Sequence, residues 1–376
     1  MSKVETPKPT GEYAVGTFTY TVYDALDETM YNAPGTKRSI PARVYYPVSK
    51  ESVKDLPKAR YLTKEMIGAI KKQYMMPINY EKVEQDGSNR SECYDKAPFI
   101  EGERFPLILF SHGGGAFREA YSFFLCELAS HGYVAVSIGH PYEGMLTELD
   151  NGTTYRIAPK ITSHCYSPYF KSVSALKKLM KAKGTNEELW EKFNDIQNTY
   201  NRFLIERVEA WGDDTKVALN YLKENYHDLI DWEKGIGVTG HSLGGATAFR
   251  LCEDDPETFT CGINIDGGLF GDHEGKSINA PFLQMNCESN KTGVTWAFIS
   301  NRKPAYHVVF RDMQHLGFSD MKFQIPLKSM VGKLEPDIAH SEMCKICLEF
   351  LDTYLKKLKD KPSFKSDDVV TFTEYG

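Results

Sequence analysis

Residues 236–252 read IGVTGHSLGGATAFRLC. The β-branched run at 236–240 leads directly into Gly240-His241-Ser242-Leu243-Gly244-Gly245, and a helical pattern continues through 244–252. A serine held at a strand-to-helix turn needs small flanking residues, because the backbone closes there too tightly for side chains. Its hydroxyl then stands exposed at a helix N-terminus, which favours developing negative charge. A serine that only caps a helix after a glycine turn is the plainer reading. The apolar strand before it and the helix after it favour a nucleophile.

Outward from this stretch, the chain alternates short apolar runs with helical patterns from about residue 105 onward. The runs are 106–111 (PLILFS), 133–138 (YVAVSI), 236–240 (IGVTG), 261–266 (CGINID), 281–287 (PFLQMNC) and 306–311 (YHVVFR). Near-continuous apolar strands are those buried on both faces, so a mostly parallel central sheet with helices on both sides is expected. Helices are read at 116–130, 207–224, 244–252 and 341–359. Upstream, 17–22 and 43–46 read as antiparallel edge strands, with Pro47 ending the second. The chain is read as one domain over 1–376. Two polar insertions, 55–98 with a helical piece near 64–74 and 159–204 with a helix from Val173, are candidates to cover a site.

The second motif, Phe110-Ser111-His112-Gly113-Gly114-Gly115-Ala116, follows the first of these runs. Ester cleavage needs two backbone N–H groups aimed at the oxyanion. One belongs to the residue after the nucleophile, Leu243, and the other to an HGGG-type loop of this kind. A glycine-rich turn also suits phosphate, but no P-loop or dinucleotide pattern is present in the right context. His112 reads as structural. Together the two motifs are those of the α/β-hydrolase fold.

A nucleophilic serine needs a histidine and an acid downstream. His307 lies inside a strand and His340 at the start of the last helix, whereas His315 sits in a loop just past the final strand. His315 is therefore the expected base, with His273 as the alternative. Asp266, Glu288 and Asp272 are the candidate acids. Asp266 directly follows a strand and precedes Gly267-Gly268, so it is held rigidly, yet composition does not rank it over Glu288.

The 376 residues are 41% hydrophobic and 12% aromatic, enough for a large core, and the net charge is −6. With no basic stripe, nucleic acid is not an expected partner. No run of about 18 apolar residues occurs, so no membrane-spanning helix is expected. Residues 1–17 are polar, which gives a cytoplasmic expectation. Eight cysteines are scattered, and Cys344-Lys-Ile-Cys347 lies in a helical pattern without a second pair at zinc spacing. Neither metal nor cofactor is expected, and oligomeric state is not legible. The expected partner is a small-molecule or lipid ester.

The blocks 106–140, GHSLGG at 240–245, INIDG at 263–267 and the loop around His315 resemble the plasma-type platelet-activating factor acetylhydrolases and their bacterial relatives. The resemblance runs from about Tyr13 to Leu355. It implies Asp266 as the acid, His315 as the base, and the amides of Gly114 and Leu243 as oxyanion donors. It also implies calcium-independent hydrolysis of short or oxidised acyl esters at the sn-2 position of phospholipids. Relatives include general esterases and cutinase-like enzymes. Eukaryotic members are secreted, whereas this chain shows no signal, and the two insertions bear on the acyl pocket. Amide or lactone hydrolysis and acyl transfer suit the same triad, and a non-catalytic binding protein suits the same fold.

Overall fold

The computed structural model describes residues 6–29, 35–271, 273, 278–291, 293–298, 301, 303–325 and 327–375. Its strands are β1 (Ala14–Asp27), β2 (Lys37–Val48), β3 (Lys58–Arg60), β4 (Arg90–Asp95), β5 (Leu107–Ser111), β6 (Val134–Ile138), β7 (Leu146–Glu148), β8 (Thr154–Arg156), β9 (Ile236–His241), β10 (Phe259–Ile265), β11 (Phe282–Cys287), β12 (Ala305–Phe310) and β13 (Val370–Tyr375). The α-helices are α1 (Lys64–Tyr74), α2 (Tyr80–Gln85), α3 (Ser122–Ser130), α4 (Pro159–Leu179), α5 (Asn186–Tyr200), α6 (Arg202–Asn225), α7 (Leu243–Asp254), α8 (Val294–Phe298), α9 (Lys328–Val331) and α10 (Pro336–Tyr354).

Eleven strands form one sheet in the order β13-β12-β11-β10-β9-β5-β6-β2-β1-β4-β3, while β7 and β8 pair separately. The run β6-β5-β9-β10-β11-β12 is parallel throughout. Alternate residues of each strand enter opposite cores. Ile108 and Phe110 of β5 pack on one side with α3 and α10, and Leu107 and Leu109 on the other with α6 and α7. Each such side chain contributes roughly 1.5–3 kcal/mol when fully buried. That is why strands covered on both faces read as unbroken apolar runs. No described helix is long and apolar enough to cross a membrane.

The two upstream strands are not at the edge. β2 lies between β6 and β1, and β1 between β2 and β4. The insertion at 55–98 is the cause, because it supplies β3, α1, α2 and β4 and so extends the sheet beyond them. At the other end β13, unread in the sequence, pairs antiparallel with β12. Nor does Pro47 end its strand, since β2 runs to Val48 with Pro47 opposite Val15 and Pro41 opposite Thr21. On its other side β2 pairs with β6 only over Ala42–Tyr45. Both prolines therefore have one side without a ladder, where a missing N–H costs no bond.

The other insertion is helical from Pro159, not Val173, because Pro159 occupies the first turn, where its missing N–H is harmless. Cys344 and Cys347 are buried free thiols in α10. Phe117 and Phe298 are core residues, with Trp296 packed alongside. Asp272 lies outside the described residues.

Candidate active site

The site is assembled where the parallel strands end, at the carboxyl edge of the sheet, as ligand sites in open α/β folds are. β9 ends at His241, and Ser242 follows with φ 56° and ψ −118° before α7 begins. This left-handed backbone is costly for a residue with a side chain, and close packing enforces it. A Cβ at Gly244 would lie 2.1 Å from the Ser111 carbonyl oxygen, and one at Gly240 2.4 Å from Gly244 itself. Only glycine lets the turn seat against the end of β5.

Three side chains converge there. His315, in the turn after β12, has its Nε2 3.0 Å from Ser242 Oγ and its Nδ1 2.6 Å from Asp266 Oδ2. Asp266 follows β10 with φ 52° and is completely buried. Its Oδ1 accepts bonds from the Cys287 backbone N–H at 2.8 Å and from Asn286 Nδ2 at 3.3 Å. The carboxylate is thus anchored on the neighbouring strand, and Oδ2, which meets the imidazole, also accepts from Cys287 Sγ at 3.4 Å. The imidazole itself is partly open, its side chain 44% exposed.

The other candidates lie elsewhere. Glu288 is exposed at the start of a short 3₁₀ turn after β11. His273 is buried, its Nδ1 2.9 Å from Glu253, and it packs on Trp190 and Phe249. His307 bonds Asn286 inside the sheet, and His340 lies along α10 beside Cys344. His112 is buried with Nδ1 2.8 Å from the Gly113 carbonyl, and burial, aided by nearby His140, drives its pKa down to about 3. It stays neutral there.

A cavity of about 570 Å³ opens over Ser242 and His315. One wall is Gly114, Gly115 and Leu243. From the insertion 159–204 come Ile161, Val173, Leu176, Phe193 and Leu204, among others. None of the lining residues comes from 55–98. Donor atoms of His241, Asp266 and His315 lie within 4.8 Å of one another, a spacing a metal would accept. Both His241 nitrogens and His315 Nδ1 are instead engaged in hydrogen bonds within the protein.

Behind the glycine loop lies an ionic cluster that the sequence reading missed. Arg38 forms a two-point contact with Asp214 (2.8 and 2.6 Å) and reaches Glu28 at 3.0 Å and Glu143 at 3.1 Å. Glu143 also accepts from Trp211 Nε1 at 2.9 Å and from Arg207 at 3.4 Å. Burial raises the Glu143 pKa to about 7, with Arg38 and Arg207 opposing it. The Glu143 backbone carbonyl accepts the Gly115 N–H at 2.8 Å, so the cluster is tied to the glycine loop. The available signal was Asp214 lying one turn from Trp211 on the buried face of α6.

A ferulic acid esterase from Streptomyces cinnamoneus has the same fold, with a TM-score of 0.71 over 98% of both chains at 20% identity. Fold and relatives together make the chain a carboxylic ester hydrolase of the α/β-hydrolase fold. The family model described as "Platelet-activating factor acetylhydrolase, isoform II" matches residues 1–370, and the chain belongs to that family. The platelet-activating factor acetylhydrolase of Cavia porcellus is 26% identical over 366 residues, covering 93% of this chain and 78% of its own. That of Bos taurus is 29% identical over 301 residues, covering 73% and 62%.

Proposed function

We propose that Ser242 is the nucleophile, His315 the general base and acid, Asp266 its orienting carboxylate, and the amides of Gly114 and Leu243 the oxyanion donors. The observation that carries this reading is the unbroken run Asp266–His315–Ser242, at 2.6 and 3.0 Å, opening into the cavity. Ser242 Oγ attacks the ester carbonyl as its proton passes to His315 Nε2, and the buried Asp266 stabilises the imidazolium. The leaving alcohol takes that proton. Water then cleaves the acyl-enzyme by the same steps, returning the acid product and free Ser242. Among the glycine-loop donors, the Gly115 amide is committed to the Glu143 carbonyl, which favours Gly114 for the oxyanion.

The substrate in this reading is a short-chain or lipid-like ester, including short acyl groups at the sn-2 position of a phospholipid. Support comes from the relatives named as acetylhydrolases and from the cavity, whose volume falls in the range of roughly 300–1,000 Å³ that holds whole small molecules. The segment 159–204 acts as its cover, and the apolar side chains it contributes favour an acyl chain. A reducing, cytoplasmic location belongs to the same reading, supported by seven described cysteines that are buried and unpaired.

A fluorophosphonate probe is expected to form a covalent adduct on Ser242 and to abolish hydrolysis of p-nitrophenyl butyrate, with rates unchanged in EDTA. Labelling elsewhere, or turnover that survives full labelling, counts against the assignment. Asp266→Asn is expected to lower kcat by about 10³–10⁴, since the imidazole then adopts the wrong tautomer. Glu288→Gln should stay within a few-fold of the parent, and the reverse ranking would move the acid to Glu288.

A further inference from the structure

His241, the residue between Gly240 and Ser242, has both ring nitrogens occupied. Nε2 lies 3.0 Å from the backbone carbonyl oxygen of His315, and Nδ1 lies 2.7 Å from Tyr121 Oη. A carbonyl only accepts, so Nε2 must carry the proton. Burial, with His315 adding to it, holds the His241 pKa well below the ordinary histidine value, so the ring has one proton to give. Nδ1 is therefore bare, and the Tyr121 hydroxyl donates to it. The tautomer follows from the partners.

The three residues come from three parts of the site. Tyr121 closes the 3₁₀ turn (Arg118–Tyr121) that follows the glycine loop. His241 ends the nucleophile strand, and His315 opens the turn after β12. The His241 and His315 rings pack at a tilt of 37° with centroids 4.4 Å apart. A Cβ at Gly113 would lie 3.1 Å from His241 Nδ1, 3.2 Å from Ser242 Cβ and 3.6 Å from Tyr121 Oη. The glycine loop thus packs directly on this pair. Asp266 holds the His315 ring, while nothing in that bond fixes the His315 main chain.

We propose that His241 and Tyr121 are positioning residues for the base: the Tyr121 hydroxyl locks the His241 tautomer, and the His241 Nε2–H holds the His315 main chain at the distance that brings its imidazole onto Ser242. This rests on the serine-hydrolase reading above. The pair's hydrogen bonds go to the His315 main chain and to each other, not to Ser242 Oγ or the His315 ring nitrogens. Its effect falls on the chemical step, where a displacement of about 1 Å costs up to 10²-fold, and not on substrate binding.

The test compares His241→Gln, whose side-chain amide supplies an N–H toward the same carbonyl, with His241→Leu, which does not, and with Tyr121→Phe. Turnover of p-nitrophenyl butyrate is normalised to the folded fraction, with Ser242→Ala run alongside. His241→Leu is expected to lose roughly 10–100-fold in kcat with KM within two-fold of the parent. His241→Gln should recover most of that loss, and Tyr121→Phe should lose several-fold in kcat alone. Full kcat in His241→Leu overturns the proposal. So does an equal loss in the glutamine and leucine variants, because a loss indifferent to the donor is a packing effect. Unchanged kcat in Tyr121→Phe removes the tautomer lock. Continued turnover by Ser242→Ala would instead sink the underlying serine assignment.

Discussion

Ser242→Ala is expected to lower kcat by roughly 10⁴–10⁶ while leaving the melting transition where it is. The size of the loss follows from what remains. Gly114 and Leu243 would still present their amides, so a residual rate above that of water survives. The stability expectation follows from the backbone. Alanine keeps the Cβ, so the cost of φ 56° is the same in both proteins. The hydroxyl bonds His315 Nε2 at 3.0 Å, and that imidazole keeps Asp266 and partial access to solvent. Kinetics with p-nitrophenyl esters from acetate to palmitate, together with thermal melts, check both parts. A variant with near-normal turnover would remove Ser242 from the chemistry. A variant that loses activity only by unfolding would make the serine structural.

The residues proposed as nucleophile and base were legible because the chemistry that selects them is local. Ser242 is marked by the glycines its turn demands, and His315 by its place just past a strand. Asp266 and Glu288 were not separable from composition, since each follows an apolar strand. They differ in backbone direction. Asp266 turns under its strand with φ 52° to reach His315, whereas Glu288 emerges into solvent. The parallel strands were legible from burial on both faces. The sheet's edges were not: β3 is only three residues long, and β13 alternates apolar and polar residues as a half-exposed edge strand instead of forming an unbroken apolar run, and both owe their place to pairing with β4 and β12. The ionic cluster around Arg38 was hidden for a related reason. Its members come from 28–38, 140–143 and 207–214, and only the fold brings them together. His241 was in view as part of the motif, yet its role depends on a carbonyl 74 positions away.

Arg38→Met is expected to destabilise the fold by about 3–5 kcal/mol, the scale for removing one partner of a buried charge network. Arg38 is 3% exposed, and Glu143 and Asp214 are fully buried. Burial alone would lower the Arg38 pKa, but Asp214, Glu143 and Glu28 outweigh it and raise it. Burial would likewise raise the Asp214 pKa, but Arg38 and His140 overcome that and hold it at about 2. A carboxyl held below its unfolded value adds stability that is present above that value and lost as pH falls toward 2. Removing the guanidinium takes away the main cause of the lowering at Asp214 and leaves burial to raise its carboxyl. Glu143, already raised by burial, loses a cation that opposed the rise, so the penalty is small in acid and grows as pH rises from about 4. Melts of parent and variant at pH 5 and pH 8 should therefore diverge, with the larger gap at pH 8. A gap below 1 kcal/mol, or one independent of pH, would mean that methionine's apolar packing replaces the ion network. The same guanidinium donates to the Pro141 carbonyl at 2.9 Å, and Glu143 two residues on holds the Gly115 amide. Variant protein that remains folded at pH 5 should consequently lose kcat more than it gains KM, because what loosens is the loop that carries Gly114, the proposed oxyanion donor.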